Sequence, residues 1–216
     1  MKQDLFEGCG ENANYREIRV GGIAPGRLYR SSHPIQEYGQ DKIIARLSKT
    51  NGIEAVLNLS DTQCGLSRIA VIAPWYYRLY KNGCILPLHM GFDYASPRFN
   101  KKFRRGIQFI ISREGPWLIH CHAGVDRSGF VCAALEALMG GTIREIIADY
   151  MESYKGPFGS ASVSGAGSPV VLEMLGKMNP GSPVTNQNLQ KTAEDYFTRQ
   201  TGLSEKEIKL LKDRLA

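Results

Sequence analysis

The stretch from Trp117 to Leu135 constrains the fold more than any other, because it reads as a strand, a loop and a helix in succession. Trp117–Ile119 is a short apolar run suited to a buried strand, and Gly124 and Gly129 permit a tight backbone. Residues 130–139 are helix formers that end at two glycines. A loop that runs into a helix N-terminus presents free N–H groups and the positive end of the helix dipole. The stretch therefore predicts an anion-binding site.

Cys121 occupies the first position of this loop, where the same electrostatic field stabilises a thiolate and makes the sulfur nucleophilic at neutral pH. Arg127 follows it in the loop, and its planar guanidinium can hold two oxygens of a phosphate while the sulfur attacks phosphorus. The hydroxyl of Ser128 can donate to the sulfur when it leaves. These three residues predict hydrolysis of a phosphomonoester through a cysteinyl-phosphate intermediate.

The order His-Cys, five residues, Arg-Ser at residues 120–128 resembles the signature loop of the cysteine-dependent phosphatase superfamily, which contains the protein tyrosine and dual-specificity phosphatases. By this resemblance Cys121 is the nucleophile and Arg127 clamps the phosphate. The histidine before the nucleophile, His120, supports the loop by hydrogen bonding. The resemblance also implies that the substrate is held by the loop residues His122, Ala123, Gly124, Val125, Asp126 and Arg127.

Two further stretches resemble the bacterial tyrosine-phosphatase-like branch. Gly-Arg-Leu-Tyr-Arg-Ser at residues 26–31 is similar to the entry strand of that branch and of the plant and fungal atypical dual-specificity enzymes. Gly-Leu-Ser at residues 202–204, before the last helix, is also similar to the bacterial branch. Within the entry strand, Arg30 has two equal interpretations, as the partner of a carboxylate or as a residue near the substrate.

The leaving oxygen of a phosphomonoester needs a proton, and two carboxyl groups compete to donate it. Asp93 lies on a loop after an apolar run, which is where the family places its general acid. Asp126 lies inside the reactive loop, and its pairing with Arg127 resembles bacterial phosphatases of lipid-directed specificity. Those enzymes usually carry Lys where this chain has Val125, so the extra positive charge is missing. A third interpretation is that Asp126 only holds the loop by accepting N–H bonds.

The five cysteines are odd in number and scattered, without a Cys-x-x-Cys pair, which favours a reducing compartment over a disulfide scaffold or structural zinc. Cys132 lies in an apolar helical stretch and is expected to pack inertly. Cys84 begins or ends a core strand; it is either a plain core residue or, as in related phosphatases, the partner of Cys121 in a reversible disulfide. No metal or organic cofactor is expected.

The chain carries 27 Lys and Arg against 21 Asp and Glu, a net charge of +6, which favours anionic partners. No basic block with interleaved aromatics indicates nucleic acid. A phosphorylated protein or a small phosphomonoester is therefore the expected substrate. No apolar run has the length of a signal peptide or of a membrane span, so we expect a cytoplasmic protein without stable membrane insertion.

The periodicity predicts a three-layer α/β domain, with a central, mostly parallel sheet flanked by helices and the reactive loop at the carboxyl end of a central strand. Residues 1–216 are expected to form a single phosphatase domain, with 185–216 as a C-terminal helical extension packed on it. A helix is expected to run through Ser67 to Ala73 and to be interrupted by Pro74. The small-residue stretch 156–168 is either a connection or a mobile lid.

Three other functions compete with a protein tyrosine or dual-specificity phosphatase. The Asp126-Arg127 pair leaves an inositol phosphate or phosphoinositide phosphatase open. Rhodanese-like sulfurtransferases also place a cysteine in an arginine-bearing loop. A catalytically silent phosphate-binding module would need no thiol, so the intact Cys121 argues against it.

Overall fold

The computed structural model describes residues 13–35, 40–69, 72–155 and 167–216. A five-stranded sheet in the order β1-β2-β5-β3-β4 forms its centre. Only β1 runs antiparallel to its neighbour, so the sheet is mostly parallel, as the sequence predicts. The strands are β1 (Arg16–Ile18), β2 (Leu28–Ser31), β3 (Ala55–Asn58), β4 (Ile85–Pro87) and β5 (Trp117–His120).

The helices occur between and after these strands, and the described residues end in three helical segments. They are α1 (Gln40–Thr50), α2 (Gln63–Ile69), α3 (Pro74–Lys81), α4 (Pro97–Ile111), α5 (Asp126–Leu138), α6 (Ile143–Glu152), α7 (Gly167–Gly176), α8 (Leu189–Asp195), which continues into a π-helical turn (Tyr196–Gln200), and α9 (Glu205–Leu215).

The sheet separates two apolar cores, which makes the domain three-layered. Alternate residues of a strand face opposite sides of a sheet. Leu57 and Ile119 belong to the core that contains Phe130 of α5 and side chains of α4 to α9. Leu118 belongs to the other core, with Tyr76 and further side chains of α1, α2 and α3. The three-layer α/β prediction is therefore confirmed.

The prediction that Pro74 interrupts a helix is wrong. Helix α2 ends at Ile69, and a separate helix, α3, begins at Pro74 itself. Proline is tolerated at the first position of a helix because the N–H that it lacks would have no intrahelical partner there. Residues 70 and 71 lie outside the described residues, as does 156–166, which is most of the predicted lid or connection.

Helix α8, the π-helical turn and α9 pack on the face of the sheet that carries α4 and α5. Phe197 and Leu211 are buried in the core shared with α4 and α5. The hydroxyl of Tyr196 donates to Oδ1 of Asn100 on α4 at 2.7 Å. Among the helices in the described parts of the chain, none is both long and apolar enough to cross a membrane.

Candidate active site

The site lies at the carboxyl edge of the sheet, where three neighbouring parallel strands end together. Cys121 directly follows His120, the last residue of the central strand β5. The N–H of Leu59, just after β3, donates to the oxygen of His120 at 2.8 Å. The N–H of Met90, after β4, donates in turn to the oxygen of Leu59 at 2.8 Å. This edge therefore brings the loop after β4 next to the reactive loop, which we define as residues 121–128.

The backbone of the reactive loop forms an anion cradle. Among the hydrogen bonds of the described residues, the main-chain N–H groups of 123–128 have no main-chain acceptor. Gly124 has a φ of +75°, and a Cβ there would lie 2.5 Å from the oxygen of Ser31. Only glycine fits this close approach in a left-handed conformation. The loop then enters α5, whose N-terminus adds the positive end of its dipole.

The side chains of Cys121 and Ser128 are buried, and Arg127 is half-buried. The Ser128 hydroxyl has no hydrogen-bond partner within the described parts of the chain, and neither has Nε of Arg127. Leaving such buried groups unpaired costs about 1–3 kcal/mol each. A bound phosphate and a thiolate would supply the acceptors that these donors lack.

Arg127 is aligned by the two loops beside it. Its Nη1 donates to the oxygen of Leu59 at 3.4 Å and to the oxygen of Met90 at 3.3 Å. Its guanidinium carbon lies 5.0 Å from the centre of the Phe92 ring, an arrangement favourable to a cation. The loop after β4 therefore forms one wall of the site.

A second arginine supports the reactive loop. Arg30 of β2 is fully buried, and its Nη2 donates to the oxygens of Gly124 at 2.8 Å and Val125 at 3.0 Å. Its Nη1 donates to the Asp149 carboxylate of α6 at 2.7 Å. Both sequence interpretations of Arg30 hold in part, because it pairs with a carboxylate and also holds the loop of the candidate site.

Asp149 connects this arginine to another. Arg16 of β1 donates to the Asp149 carboxylate at 2.9 Å and to Ser153 at 2.9 Å. Burial alone would raise the pKa of the Asp149 carboxyl, but Arg30 and Arg16 outweigh it and hold the pKa below its ordinary value. The charged form of Asp149 therefore stays in place under the loop.

On the other side of the sheet, a chain of hydrogen bonds fixes His120. Its Nε2 lies 2.7 Å from the Tyr76 hydroxyl, and its Nδ1 lies 3.2 Å from the oxygen of Cys121. Because a carbonyl only accepts, Nδ1 carries the proton and Nε2 accepts from Tyr76. Burial, and secondarily His33, lowers the pKa of His120 to about 3. This neutral, hydrogen-bonded ring matches the supporting role implied by the family.

The same chain continues to the loop after β3. Nδ2 of Asn58 donates to the Tyr76 hydroxyl at 2.9 Å and to Asp61 at 2.7 Å. Nε2 of His33 donates to Asp61 at 2.8 Å, and the main-chain N–H of His33 donates to the oxygen of His122 at 2.8 Å. Burial alone would raise the pKa of Asp61, but the hydrogen bonds from His33 and Asn58 lower it.

The two candidate acids occupy different sides of the site. Asp93 is exposed on the loop after β4, where it lines a groove of about 460 Å³ with Phe92, the residue that contacts Arg127. Asp126 is exposed at the start of α5 and accepts a hydrogen bond of 3.3 Å from the Tyr150 hydroxyl. Asp126 therefore has a structural partner in a side chain, rather than in the main-chain N–H groups considered from the sequence.

A model of the tyrosine phosphatase family matches residues 90–216, more than half of the chain. The chain belongs to the tyrosine phosphatase family. The phosphatase is thus a cysteine-dependent enzyme. A solved structure, that of TpbA from P. aeruginosa, is 18% identical, with a TM-score of 0.47, over 83% of this chain and 96% of that chain. The comparison with curated proteins found no significant match.

The matched range of the phosphatase contains two cysteines, Cys121 and Cys132. Cys132 is enclosed within α5, where burial raises the pKa of its thiol to about 12 and so disfavours a thiolate. Cys121 instead lies directly after β5, at the start of the anion cradle.

The structure argues against a disulfide between Cys84 and Cys121. The strand register places Cys84 level with Trp117, at the amino edge of the sheet, whereas Cys121 follows the carboxyl edge. The two positions are about 13 Å apart along the strands and two strand spacings, about 10 Å, across them. A disulfide joins Cα atoms about 4.4–6.8 Å apart. Cys84 instead contacts Arg113, at 3.8 Å.

Sequence reasoning missed Tyr94 as a site residue. Its ring stacks on Phe130 at 4.4 Å between centroids. Burial raises the pKa of its hydroxyl, and the Asp126 carboxylate raises it further. Tyr94 lines a small cavity together with Asp126 and Tyr150. Its position directly after Asp93 was the only available signal.

Proposed function

We propose that this phosphatase hydrolyses phosphomonoesters on proteins, as a protein tyrosine or dual-specificity phosphatase. The Cys121 thiolate attacks phosphorus, and the bond from phosphorus to the leaving oxygen breaks while Asp93 protonates that oxygen. Water then attacks phosphorus and gives its proton to the Asp93 carboxylate, and the bond from phosphorus to sulfur breaks while Ser128 donates a hydrogen bond to the departing thiolate. The N–H groups of 123–128 and the guanidinium of Arg127 stabilise the charge that develops on the phosphoryl oxygens in both steps.

The observation that carries this proposal is the placement of Cys121. It is the first residue after the central strand, and the residues after it offer one guanidinium and N–H groups that have no main-chain acceptor among the described residues. Such a cradle, with a buried thiol at its first residue, serves phosphoryl transfer better than simple phosphate binding, because a binding module would not need the sulfur.

The reactive loop by itself carries a cation for only one phosphate group. Val125, at the position where lipid-directed relatives usually carry lysine, is apolar and buried. Arg127 is therefore the only Lys or Arg of residues 121–128.

We infer that residues 1–216 act as a single phosphatase domain with 185–216 packed on it. The free thiols of Cys64, Cys84, Cys121 and Cys132 favour a reducing compartment such as the cytoplasm.

The test is phosphate release from phosphotyrosine and phosphoserine peptides, inositol phosphates and phosphoinositides, with the wild-type and Cys121→Ser proteins. We expect release from phosphotyrosine peptides that Cys121→Ser abolishes, and a phosphocysteine on Cys121 by mass spectrometry after acid quenching. Cys64→Ser, which changes an exposed cysteine, is the matched control and should keep full activity. Release confined to inositol compounds would overturn the protein substrate, and release by Cys121→Ser would overturn the covalent mechanism.

A further inference from the structure

The groove beside Arg127 carries two positive charges that form no ion pair with a carboxylate of the described residues. Arg98 and Lys102 of α4 both line it, four residues apart and so on one face of the helix. Arg98 has no ion pair or hydrogen bond within the described parts of the chain, and Lys102 donates only to the main-chain oxygen of His89. Asp93 lines the same groove without forming an ion pair to either cation.

This arrangement costs stability. Like charges four residues apart on a helix destabilise it by a few tenths of a kcal/mol. Burial lowers the pKa of Lys102, and the neighbouring positive charges of Arg98 and Arg105 lower it further. An anion in the groove would relieve both effects.

The groove adjoins the reaction centre on the side of the leaving group. Met90 and Phe92 line it, and both also contact Arg127. Asp93, the proposed donor of a proton to the leaving oxygen, shares its wall. A leaving group that extends along this groove therefore lies beside the two cations.

We propose that Arg98 and Lys102 form a subsite for a second anionic group carried by the leaving group of the substrate, a carboxylate or another phosphate. The subsite deepens the proposed function and rests on it. The reactive loop has Val125 where a lysine would add positive charge, and the subsite supplies positive charge next to the loop instead. The phosphatase thereby selects phosphomonoesters that carry an acidic neighbour.

The test compares substrates that differ in one charge. Phosphotyrosine peptides flanked by Asp and Glu are paired with the same peptides carrying Asn and Gln, and a myo-inositol bisphosphate is paired with a monophosphate. We expect kcat/KM to favour the more acidic member of at least one pair by about three- to tenfold at low salt, falling with ionic strength. A preference within the peptide pair would identify the second anionic group as a carboxylate. A preference within the inositol phosphate pair would identify it as a phosphate.

The Arg98→Gln/Lys102→Gln protein should bring that ratio close to one. The control, Lys101→Gln/Arg144→Gln, removes the same two kinds of charge from exposed positions that do not line the groove and should retain the preference. Equal kcat/KM within both pairs for the wild-type protein, or a ratio that survives in Arg98→Gln/Lys102→Gln, would overturn the subsite. Hydrolysis of the neutral peptide by the wild-type protein shows in either case that the proposed function stands.

Discussion

The guanidinium of Arg30 donates to the main-chain oxygen of Gly124 at 2.8 Å. This bond, together with the one to Val125, holds two carbonyl oxygens of the reactive loop against β2. Because the two peptide planes are fixed in this way, the N–H groups of the loop keep their arrangement before any phosphate arrives. Arg30 is therefore a positioning residue, buried beneath the loop.

Arg30→Lys should lower kcat/KM by about tenfold to a hundredfold, because an ammonium cannot replace a planar fork that serves two carbonyls and a carboxylate. It should also weaken the binding of orthovanadate, which reports the cradle directly. The protein should lose about 3–5 kcal/mol of its free energy of unfolding if the arginine is removed altogether, as in Arg30→Met, since Asp149 stays buried.

Arg16→Lys is the matched control for this prediction. Arg16 holds the same Asp149 carboxylate but donates to no carbonyl of the reactive loop among the contacts of the described residues. We expect a loss of stability with a much smaller change in orthovanadate affinity. Equal effects of the two substitutions on that affinity would show that Arg30 acts only on stability.

Asp93→Asn and Asp126→Asn separate the two candidate acids. We expect Asp93→Asn to lower kcat for phosphotyrosine by about a hundredfold or more, because the tyrosine oxygen leaves poorly without a proton. The loss should shrink for p-nitrophenyl phosphate, a better leaving group. Asp126→Asn should cost less than about tenfold on both substrates, since its carboxylate already accepts from Tyr150. The reverse pattern in steady-state kinetics would make Asp126 the acid.

The reactive loop could be predicted from the sequence because its signals are local. The apolar run of β5, the glycines and the helix formers of α5 are all adjacent in the chain, and the three-layer order follows from the alternation of such patterns. The support of the loop could not be predicted in this way. Arg30 and Asp149 are 119 residues apart, and only the folded sheet brings them together.

Tyr76 shows the same limit at shorter range. Tyr76 is fully buried in the core on the side of α1, α2 and α3. Its hydroxyl also holds His120, 44 residues away, which no periodicity reveals. A buried tyrosine hydroxyl needs a partner, but the sequence does not say which one.

His120 makes the folded protein sensitive to acid. Its pKa is about 3 when folded, against about 6.5 for an unperturbed histidine, so the unfolded chain binds more protons between these values. The contribution of His120 is fully present above about pH 6.5 and is lost as the pH falls towards 3. As the pH falls, the free energy of unfolding should decrease less steeply for His120→Gln than for the wild type. The two slopes should differ by up to about 1.4 kcal/mol per pH unit. Urea unfolding between pH 4.5 and 7 measures this difference. If the free energies of unfolding of the two proteins change in parallel with pH, His120 is not the group responsible.

Glu136 of α5 has the opposite dependence on pH. It is 1% exposed, and neither carboxyl oxygen has a hydrogen-bond partner in the described parts of the chain. Burial raises its pKa well above the ordinary value, and the neighbouring Asp149 charge raises it further. Because the pKa of Glu136 is higher in the folded than in the unfolded protein, its contribution to the free energy of unfolding is fully present below about pH 4.5. That contribution is lost as the pH rises through the folded pKa.

Glu136→Gln imitates the protonated carboxyl and does not titrate. We therefore expect its free energy of unfolding to equal that of the wild type near pH 4 and to exceed it increasingly from pH 5 to 8, by about 1.4 kcal/mol per pH unit at most. Glu54→Gln, at an exposed position, should stay within about 0.5 kcal/mol of the wild type at every pH. If Glu136→Gln also follows the wild type at every pH, the Glu136 carboxyl is ionised in the folded protein. Arg30 and Arg16 would then face two negative charges instead of one.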